Sequence, residues 1–397
     1  MFPWRAALRR ISCRSYYNDA LFSSPQKGSK VVAAMSGGVD SSVVAGLLSK
    51  QDYDLSAVFM RNWDTRDESG TDKGCEWEKD WEDVQKVCQI MDIPCIMIDL
   101  SREYWTRVFE PSLHAWERGH TPNPDIWCNK EVKFGALMSH LSSPNTWIAT
   151  GHYARKGWSS LNAEMIPRPQ LLRPADRLKD QTFYLSAMPE SSLRRTLFPI
   201  ADLQKHQVRE LAHQWQLPVA NREESMGICF VGEKRKFTDF LSQYIPPKAG
   251  HIINGETGEV VGDHDGLWRF TIGQGARLRG HAQKLFVSAK DFDHNVIYVV
   301  PGSDHPDLYK KQITVRDWQW IWADSPPPSI NESHGFQCRM QYAHRMMDVP
   351  CTVRRGDASG AIVIELEEAQ RAVAPGQVAV VWDGDWCLGC GVIERTE

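Results

Sequence analysis

Ser36-Gly37-Gly38-Val39-Asp40-Ser41-Ser42 packs two glycines, three hydroxyls and one carboxylate into a single turn. Gly37 and Gly38 let the backbone approach a phosphate with no Cβ in the way. Ser36, Ser41 and Ser42 add hydroxyl donors. The apolar run Val31–Met35 precedes the turn and an apolar-rich segment to Leu48 follows it. The turn should therefore join a strand to a helix whose free N–H groups and positive dipole end favour an anion. The lysine that a P-loop carries here is absent. Asp40 would repel a bare phosphate and makes sense if a Mg2+ ion sits between the two.

A second candidate is Cys128 in TPNPDIWCNKEVKF. Pro122 and Pro124 should hold the backbone extended as far as Pro124, with Cys128 at the start of a helix over 129–141. A helix N-terminus with Lys130 and Lys133 nearby lowers a thiol pKa and makes thiolate available. Asp125, three residues earlier, is a candidate proton acceptor or donor. Taken alone, such a cysteine is more often a packing residue. Cys229, in EESMGICFVGE, follows 101 residues later. The ten cysteines are otherwise scattered and form no disulfide framework, so most should be buried thiols of a reducing compartment. Cys387-Leu-Gly-Cys390 has no second ligand pair, which argues against zinc and for a strand-turn pair.

The elements that must position these residues are legible as alternating periods. Strand-like runs at 31–35, 55–60, 95–100 and 146–150 alternate with helical patterns at 41–50, 81–91, 103–118 and 129–141. That βαβα order predicts an α/β fold with a doubly wound parallel sheet. Its ligands should lie beyond the carboxyl ends of the strands, where Ser36–Ser41, Arg61-Asn62-Trp63-Asp64 and Gly151-His152-Tyr153 all fall. After about Glu224 the chain turns into short β-rich segments punctuated by Gly and Asp, such as LFVSAKD and GQVAVVWDG. These predict one or two small antiparallel β domains or barrels.

Composition narrows the classes further. The 397 residues exceed one ordinary core, and 42% hydrophobic with 24% charged residues describes a globular chain. No apolar run approaches the roughly 20 residues of a membrane span. The net charge of −4 is uneven: Arg269, Arg277, Arg279 and Lys284 lie in a stretch free of acids, and residues 154–181 hold six basic and three acidic residues. Both are candidate patches for a polyanion, although solvated surface reads the same way. The first 18 residues hold Arg5, Arg9, Arg10 and Arg14 and no acid. Trp4, Leu8 and Ile11 share one helical face opposite them. That predicts a mitochondrial transit peptide over residues 1–28 and a matrix location.

The opening loop resembles the SGGVDS loop of the PP-loop ATP pyrophosphatases, which cleave ATP between the α and β phosphates and adenylate an oxygen of the substrate. GMP, NAD, asparagine and argininosuccinate synthetases and tRNA thiolases share it. The resemblance explains the missing lysine: the loop grips the pyrophosphate that leaves. Further motifs select among these enzymes. In order, VFMRNWD, TPNPDIWCNKEVKF, TGHYAR, KDQTFYLS, ESMGICF, TIGQ and PGQ together resemble the tRNA-specific 2-thiouridylases of the bacterial and mitochondrial wobble-uridine type, from Val31 to the C-terminus.

That resemblance implies a PP-loop domain at 29–228, a central β-rich tRNA-binding domain at 229–305 and a C-terminal β-barrel domain at 306–397. It implies ATP with Mg2+ on Asp40, and ATP contacts from Ala34, Met35, Ser36, Gly37, Gly38, Val39, Asp40 and Ser41, with Met60 and Gly151 flanking the adenosine. It implies a persulfide on Cys229, supplied by a cysteine desulfurase or sulfur carrier. Cys128 would be the partner thiol and Asp125 the acid/base, with Asn123 and Pro124 lining the pocket of a flipped-out base. His152, Lys179, Asp180, Gln181 and Gln377 correspond to tRNA contacts, and the protein is expected to act as a monomer off the membrane. Gly275 stands where the family has Arg after TIGQ, and Ala343-His344-Arg345 replaces a basic-aromatic pair; both bear on how tRNA is gripped. A small-molecule synthetase would need the loop but neither cysteine. An ATP-sensing RNA-binding module would need only the β tail and the basic patches.

Overall fold

A computed structural model describes residues 24–63, 76–141, 143, 145–159, 167–223, 237–356 and 360–397. Cys229, Asp64 and most of the expected transit segment lie outside the described residues. Contacts divide the chain into two compact units, one within Met1–Trp105, Ile126–Phe230 and Asp385–Cys387, the other within Thr106–Asp125, Val231–Gly384 and Leu388–Glu397.

The first unit is built on β1 (Lys30–Met35), α1 (Val39–Leu48), β2 (Asp54–Arg61), α2 (Glu76–Met91), β3 (Cys95–Asp99), β4 (Trp147–Thr150), the hairpin β5 (Arg155–Ser159) and β6 (Arg168–Leu172), β7 (Thr196–Leu197) and α3 (Lys205–Gln214). Five strands form a parallel sheet in the order β3-β2-β1-β4-β7. The expected doubly wound sheet is present. Its central strand reads KVVAAM with Val31, Val32, Ala33 and Met35 buried, the near-continuous apolar run of a strand covered on both faces. α1 packs closely: a Cβ on Gly46 would lie 2.4 Å from the Trp215 ring. The core joins Val31, Val43, Phe59, Val84, Val208 and Leu217 across sheet and helices. Strand order reverses between β1 and β4, and the crevice at such a switch point is where an open α/β sheet binds ligands.

The helical pattern at 129–141 begins earlier than its periodicity predicts. Residues Pro124–Trp127 form a helical turn, Cys128–Ala136 continues with π-type hydrogen bonding and Leu137–His140 closes the run. Pro124 opens the helix because a first helical position needs no N–H and suits proline's φ. Cys128 therefore sits one turn inside the helix, which removes the expected helix N-terminus from beside its thiol.

The second unit contains β8 (Gly250–Asn254), β9 (Val260–His264), β10 (Leu285–Asp291) and β11 (Val296–Pro301), ordered β10-β11-β8-β9. This sheet is mixed rather than purely antiparallel, because β11 runs parallel to β8. Val287, Ile297 and Val299 are fully buried in its core. The remaining strands, β12 (Tyr309–Trp320), β13 (Phe336–Gln341), β14 (Val349–Arg355), β15 (Ile362–Arg371), β16 (Val378–Asp383) and β17 (Trp386–Thr396), follow the order β12-β15-β14-β13-β16-β17. β17 also pairs with β12, so the sheet closes into a six-stranded barrel. Cys387 and Cys390 are buried within one continuous strand, β17, rather than across a strand-turn pair.

Candidate active site

The 36–42 turn folds on its own hydroxyls. Ser41 Oγ accepts from Ser36 N at 3.2 Å and donates to Gly38 O at 3.1 Å, while Ser42 Oγ donates to Gly38 O at 2.8 Å. Gly37 adopts φ +75°, and a Cβ there would lie 2.9 Å from the Asp80 backbone. Arg222 clamps this point: its guanidinium donates to Gly37 O at 3.0 Å, bonds the Asp80 carboxylate and reaches Asp83 at 3.2 Å. The result is a rigid, Cβ-free cradle at the head of α1, with the first N–H groups of a ten-residue helix behind it.

The carboxyl end of β4 meets the same turn. A Cβ on Gly151 would stand 2.8 Å from Ser41 N and 3.0 Å from Asp40 C, so only glycine admits this approach. Ala34 pairs with Val58 and with Thr150 in the register, so β1, β2 and β4 end together. Met60 is half-buried at the end of β2. Two residues on, the buried Asn62 Oδ1 has no partner among the described residues. A buried acceptor left unmet costs about 1–3 kcal/mol; one placed at the ligand end of a sheet suits a donor from a bound base. Cradle, hydroxyls and orphan acceptor fit a nucleotide triphosphate.

Asp40 does not fit a resident Mg2+ site. Both its oxygens accept from Lys205 Nζ, at 2.7 and 2.9 Å, and Oδ1 also accepts from Tyr153 Oη at 3.1 Å. Among the described residues, no group of three or more His, Cys, Asp and Glu could hold a metal.

The helix of Cys128 reaches this crevice through polar side chains. Lys133 Nζ lies 3.0 Å from Asn129 Oδ1 and 3.3 Å from His152 Nε2, and Asn129 Nδ2 donates to Tyr184 O at 3.2 Å. His152 Nδ1 meets Thr150 Oγ1 at 2.9 Å. Burial, then the neighbouring Lys133 charge, holds the His152 pKa well below its ordinary 6.5, so the ring is neutral at pH 7. Cys128 is buried at the head of this array. Gly151 packs on the 36–42 turn and the next residue, His152, meets Lys133 of the cysteine helix, so adjacent residues touch both.

The remaining expected residues take varied places. Asn123, Pro124 and Asp125 lie where the chain enters that helix. Thr121 N donates to Pro375 O at 2.9 Å, and a Cβ on Gly376 would stand 2.6 Å from Thr121 N, so the APGQ turn braces the approach to Asn123. Gln377 Oε1 accepts from Ala374 N at 3.0 Å. Gln181 Oε1 accepts from Tyr153 N at 2.9 Å, and Gln181 N donates to Tyr153 O at 3.0 Å. Asp180 pairs with Arg173 at 2.7 Å and accepts from Thr182 N at 2.9 Å. Lys179 ends a short 3-10 turn, Arg177–Lys179.

The basic excess at 154–181 is largely spent inside the first unit. Arg155 pairs with Asp202, Arg168 with Glu190, Arg173 with Asp180 and Arg177 with Asp385. Burial and then Arg194 push Lys156 down to about 7. In the other patch Arg269 pairs with Asp265 at 3.0 Å, whereas Arg277, Arg279 and Lys284 stand exposed on the long connection between β9 and β10.

Sequence reasoning missed Lys205 and Arg222, and named Tyr153 only for its place at the ligand end of the sheet, not for its bond to Asp40. One signal was available for Lys205: it opens an amphipathic helix with no acid in its first turn, where the dipole disfavours a cation.

A parallel α/β sheet with a glycine-rich turn at its switch point, followed by a mixed sheet and a closed barrel, defines an α/β domain with two appended β modules. Family models agree along the chain: a tRNA methyl transferase HUP domain matches residues 29–233, a tRNA methyl transferase PRC-barrel domain residues 238–301, and an aminomethyltransferase beta-barrel domain residues 310–393. The tRNA-specific 2-thiouridylase MnmA of Bacillus subtilis is 42% identical over 368 residues, covering 92% of this chain and 95% of that protein. The mitochondrial tRNA-specific 2-thiouridylase 1 of Homo sapiens is 40% identical over 386 residues, covering 92% and 90%. The chain belongs to the tRNA-specific 2-thiouridylase family.

Proposed function

We propose that this protein is a tRNA-uridine 2-sulfurtransferase that uses ATP to replace the C2 oxygen of a wobble uridine with sulfur. The observation that carries this reading is the junction of the phosphate cradle with the cysteine helix through Gly151 and His152. Activation and sulfur delivery need to happen at one carbon atom.

The C2 oxygen of uracil is a poor leaving group. Attack of that oxygen on the α-phosphorus expels pyrophosphate into the cradle of Ser36–Ser41 and leaves an adenylated base. A sulfur nucleophile then adds at C2, and AMP departs with the former carbonyl oxygen. Cys229, as its persulfide, is the sulfur carrier, loaded by a cysteine desulfurase or a carrier downstream of one. Cys128 either attacks Cys229 Sγ of the persulfide and expels hydrosulfide, which adds at C2, or the terminal persulfide sulfur adds at C2 first and Cys128 then attacks Cys229 Sγ, breaking the S–S bond and leaving the terminal sulfur on the base. Both routes end in a Cys128–Cys229 disulfide, so each turnover consumes one dithiol reductant. Asp125 is the acid/base, and Asn123 and Pro124 line the base pocket. Neutral His152 and the Lys179–Gln181 turn hold the anticodon arm from the catalytic domain at 29–228, and Gln377 from the barrel at 306–397. The central domain at 229–305 supplies Arg277, Arg279 and Lys284. Residues 1–28 direct the protein, as a monomer, to the mitochondrial matrix.

The test is reconstitution with ATP, unmodified tRNA and a persulfide donor. Pyrophosphate release that depends on tRNA, 2-thiouridine in the nuclease digest and one added sulfur on Cys229 by intact mass are expected. Pyrophosphate release indifferent to tRNA refutes the reading.

A further inference from the structure

We infer that Lys205 is the phosphate-gripping lysine missing from the 36–42 turn, stored on Asp40 and passed to the leaving pyrophosphate, a role that rests on the ATP chemistry above. The ammonium reaches the turn from 165 residues away and sits 2.7 and 2.9 Å from the two Asp40 oxygens. It stands beside the first turn of α1, two residues from Gly38. Its side chain is only 13% exposed, against 29% for Asp40.

The stem is fixed before any ligand arrives. Lys205 is the first residue of α3; its backbone N donates to Asp176 Oδ2 at 2.9 Å, and a Gln204–Gln207 capping box closes the same end. The Tyr153 ring lies 5.7 Å from the ammonium while its hydroxyl holds Asp40. Gln181 holds Tyr153 through both backbone groups. Only the far end of the lysine needs to move, and an ammonium on a flexible stem is suited to such a transfer.

Charge explains why the pair is useful. An unpaired Asp40 would repel an incoming triphosphate, and an unpaired Lys205, largely out of water, would be costly to keep charged. Paired, they leave the cradle neutral at that point. An arriving pyrophosphate offers the ammonium more charge than one carboxylate does. As a mere staple between α1 and α3 the pair would have little purpose, since partly buried ion pairs often stabilise no better than apolar contacts of the same size.

The test is equilibrium binding of inorganic pyrophosphate, α,β-methylene-ATP and AMP to the full chain, with thermal denaturation alongside. Lys205→Ala should weaken pyrophosphate and the ATP analogue by roughly ten- to a hundred-fold, the loss of one charge-assisted contact. AMP, which lacks the leaving phosphates, should bind as to wild type. Lys205→Met keeps the stem and covers the case in which alanine unfolds the domain. Asp40→Asn should bind pyrophosphate at least as well as wild type, because it removes a competing carboxylate. Unaltered pyrophosphate binding in Lys205→Ala and Lys205→Met overturns the role, as does equal loss of AMP binding or a matching loss in Asp40→Asn. A wild-type protein that binds none of the three overturns the ATP reading and this role together.

Discussion

Gly151 separates two effects that glycine substitutions usually mix. Its backbone is not in the left-handed region, so alanine there meets no conformational penalty; the whole cost is steric. A Cβ would face Ser41 N at 2.8 Å, Asp40 C at 3.0 Å and Ser41 Cα at 3.1 Å, all backbone atoms of the first turn of α1. No flexible side chain can yield, so either β4 or the head of α1 must shift. Overpacking of this kind costs about 1–3 kcal/mol, which for a unit of this size lowers Tm by roughly 2–12 °C. The displaced turn is also the phosphate cradle, so Gly151→Ala should lose ATP affinity beyond what the stability loss explains, even where the variant remains fully folded. Gly258→Ala is the matched control: it sits at φ +75° with nothing within 4 Å. It should cost about 1 kcal/mol and leave ATP binding untouched. Thermal denaturation and equilibrium binding of an ATP analogue measure both quantities. A Gly151→Ala protein with wild-type Tm and wild-type affinity would refute the contact between β4 and the cradle.

Other expectations follow from the same geometry. Cys229→Ser should abolish 2-thiouridine formation yet keep tRNA-dependent pyrophosphate release; thiolated product from that variant with a persulfide donor would mean that the sulfur arrives elsewhere. His152 has a folded pKa below its unfolded value of 6.5, so the unfolded chain binds the extra proton first and stability must fall as pH drops through 6.5 towards the folded value. His152→Gln should flatten that acid limb in urea titrations run at successive pH values, and an unchanged limb would assign it to other groups. Neutralising Arg277 and Arg279 together should weaken tRNA binding and flatten the log–log salt slope by up to about two, near one unit per phosphate contact, with ATP affinity unchanged. An unchanged slope would place the grip in the catalytic domain. Removing residues 1–28 should leave activity in vitro intact and prevent mitochondrial import, which a fractionation assay reads directly.

The parallel sheet and the strand-to-helix turn at 36–42 were legible because both are written in local, short-range terms. An apolar run such as Val31–Met35 specifies a buried strand, and adjacent glycines with hydroxyls specify a turn that a ligand can approach. The alternation of strand and helix then places Gly37, Met60 and Gly151 at one edge of the sheet without any knowledge of contacts. Cys128 and Asp125 were legible as candidates but not in their setting: proline was read as a stop, when its fixed φ also suits the first position of a helix. The parallel pairing of β8 with β11 left no mark in either strand, because pairing partners are chosen by the whole sheet. The basic stretch at 154–181 looked like an open patch, since Asp202, Glu190 and Asp385, the acids that neutralise it, are distant in sequence. The lysine of the phosphate turn is the clearest case. Local composition reported it missing, and α3 returns it from 165 residues away to Asp40. A residue's partner across such a distance is set by how helices pack on a sheet, and that information exists only once the chain has folded.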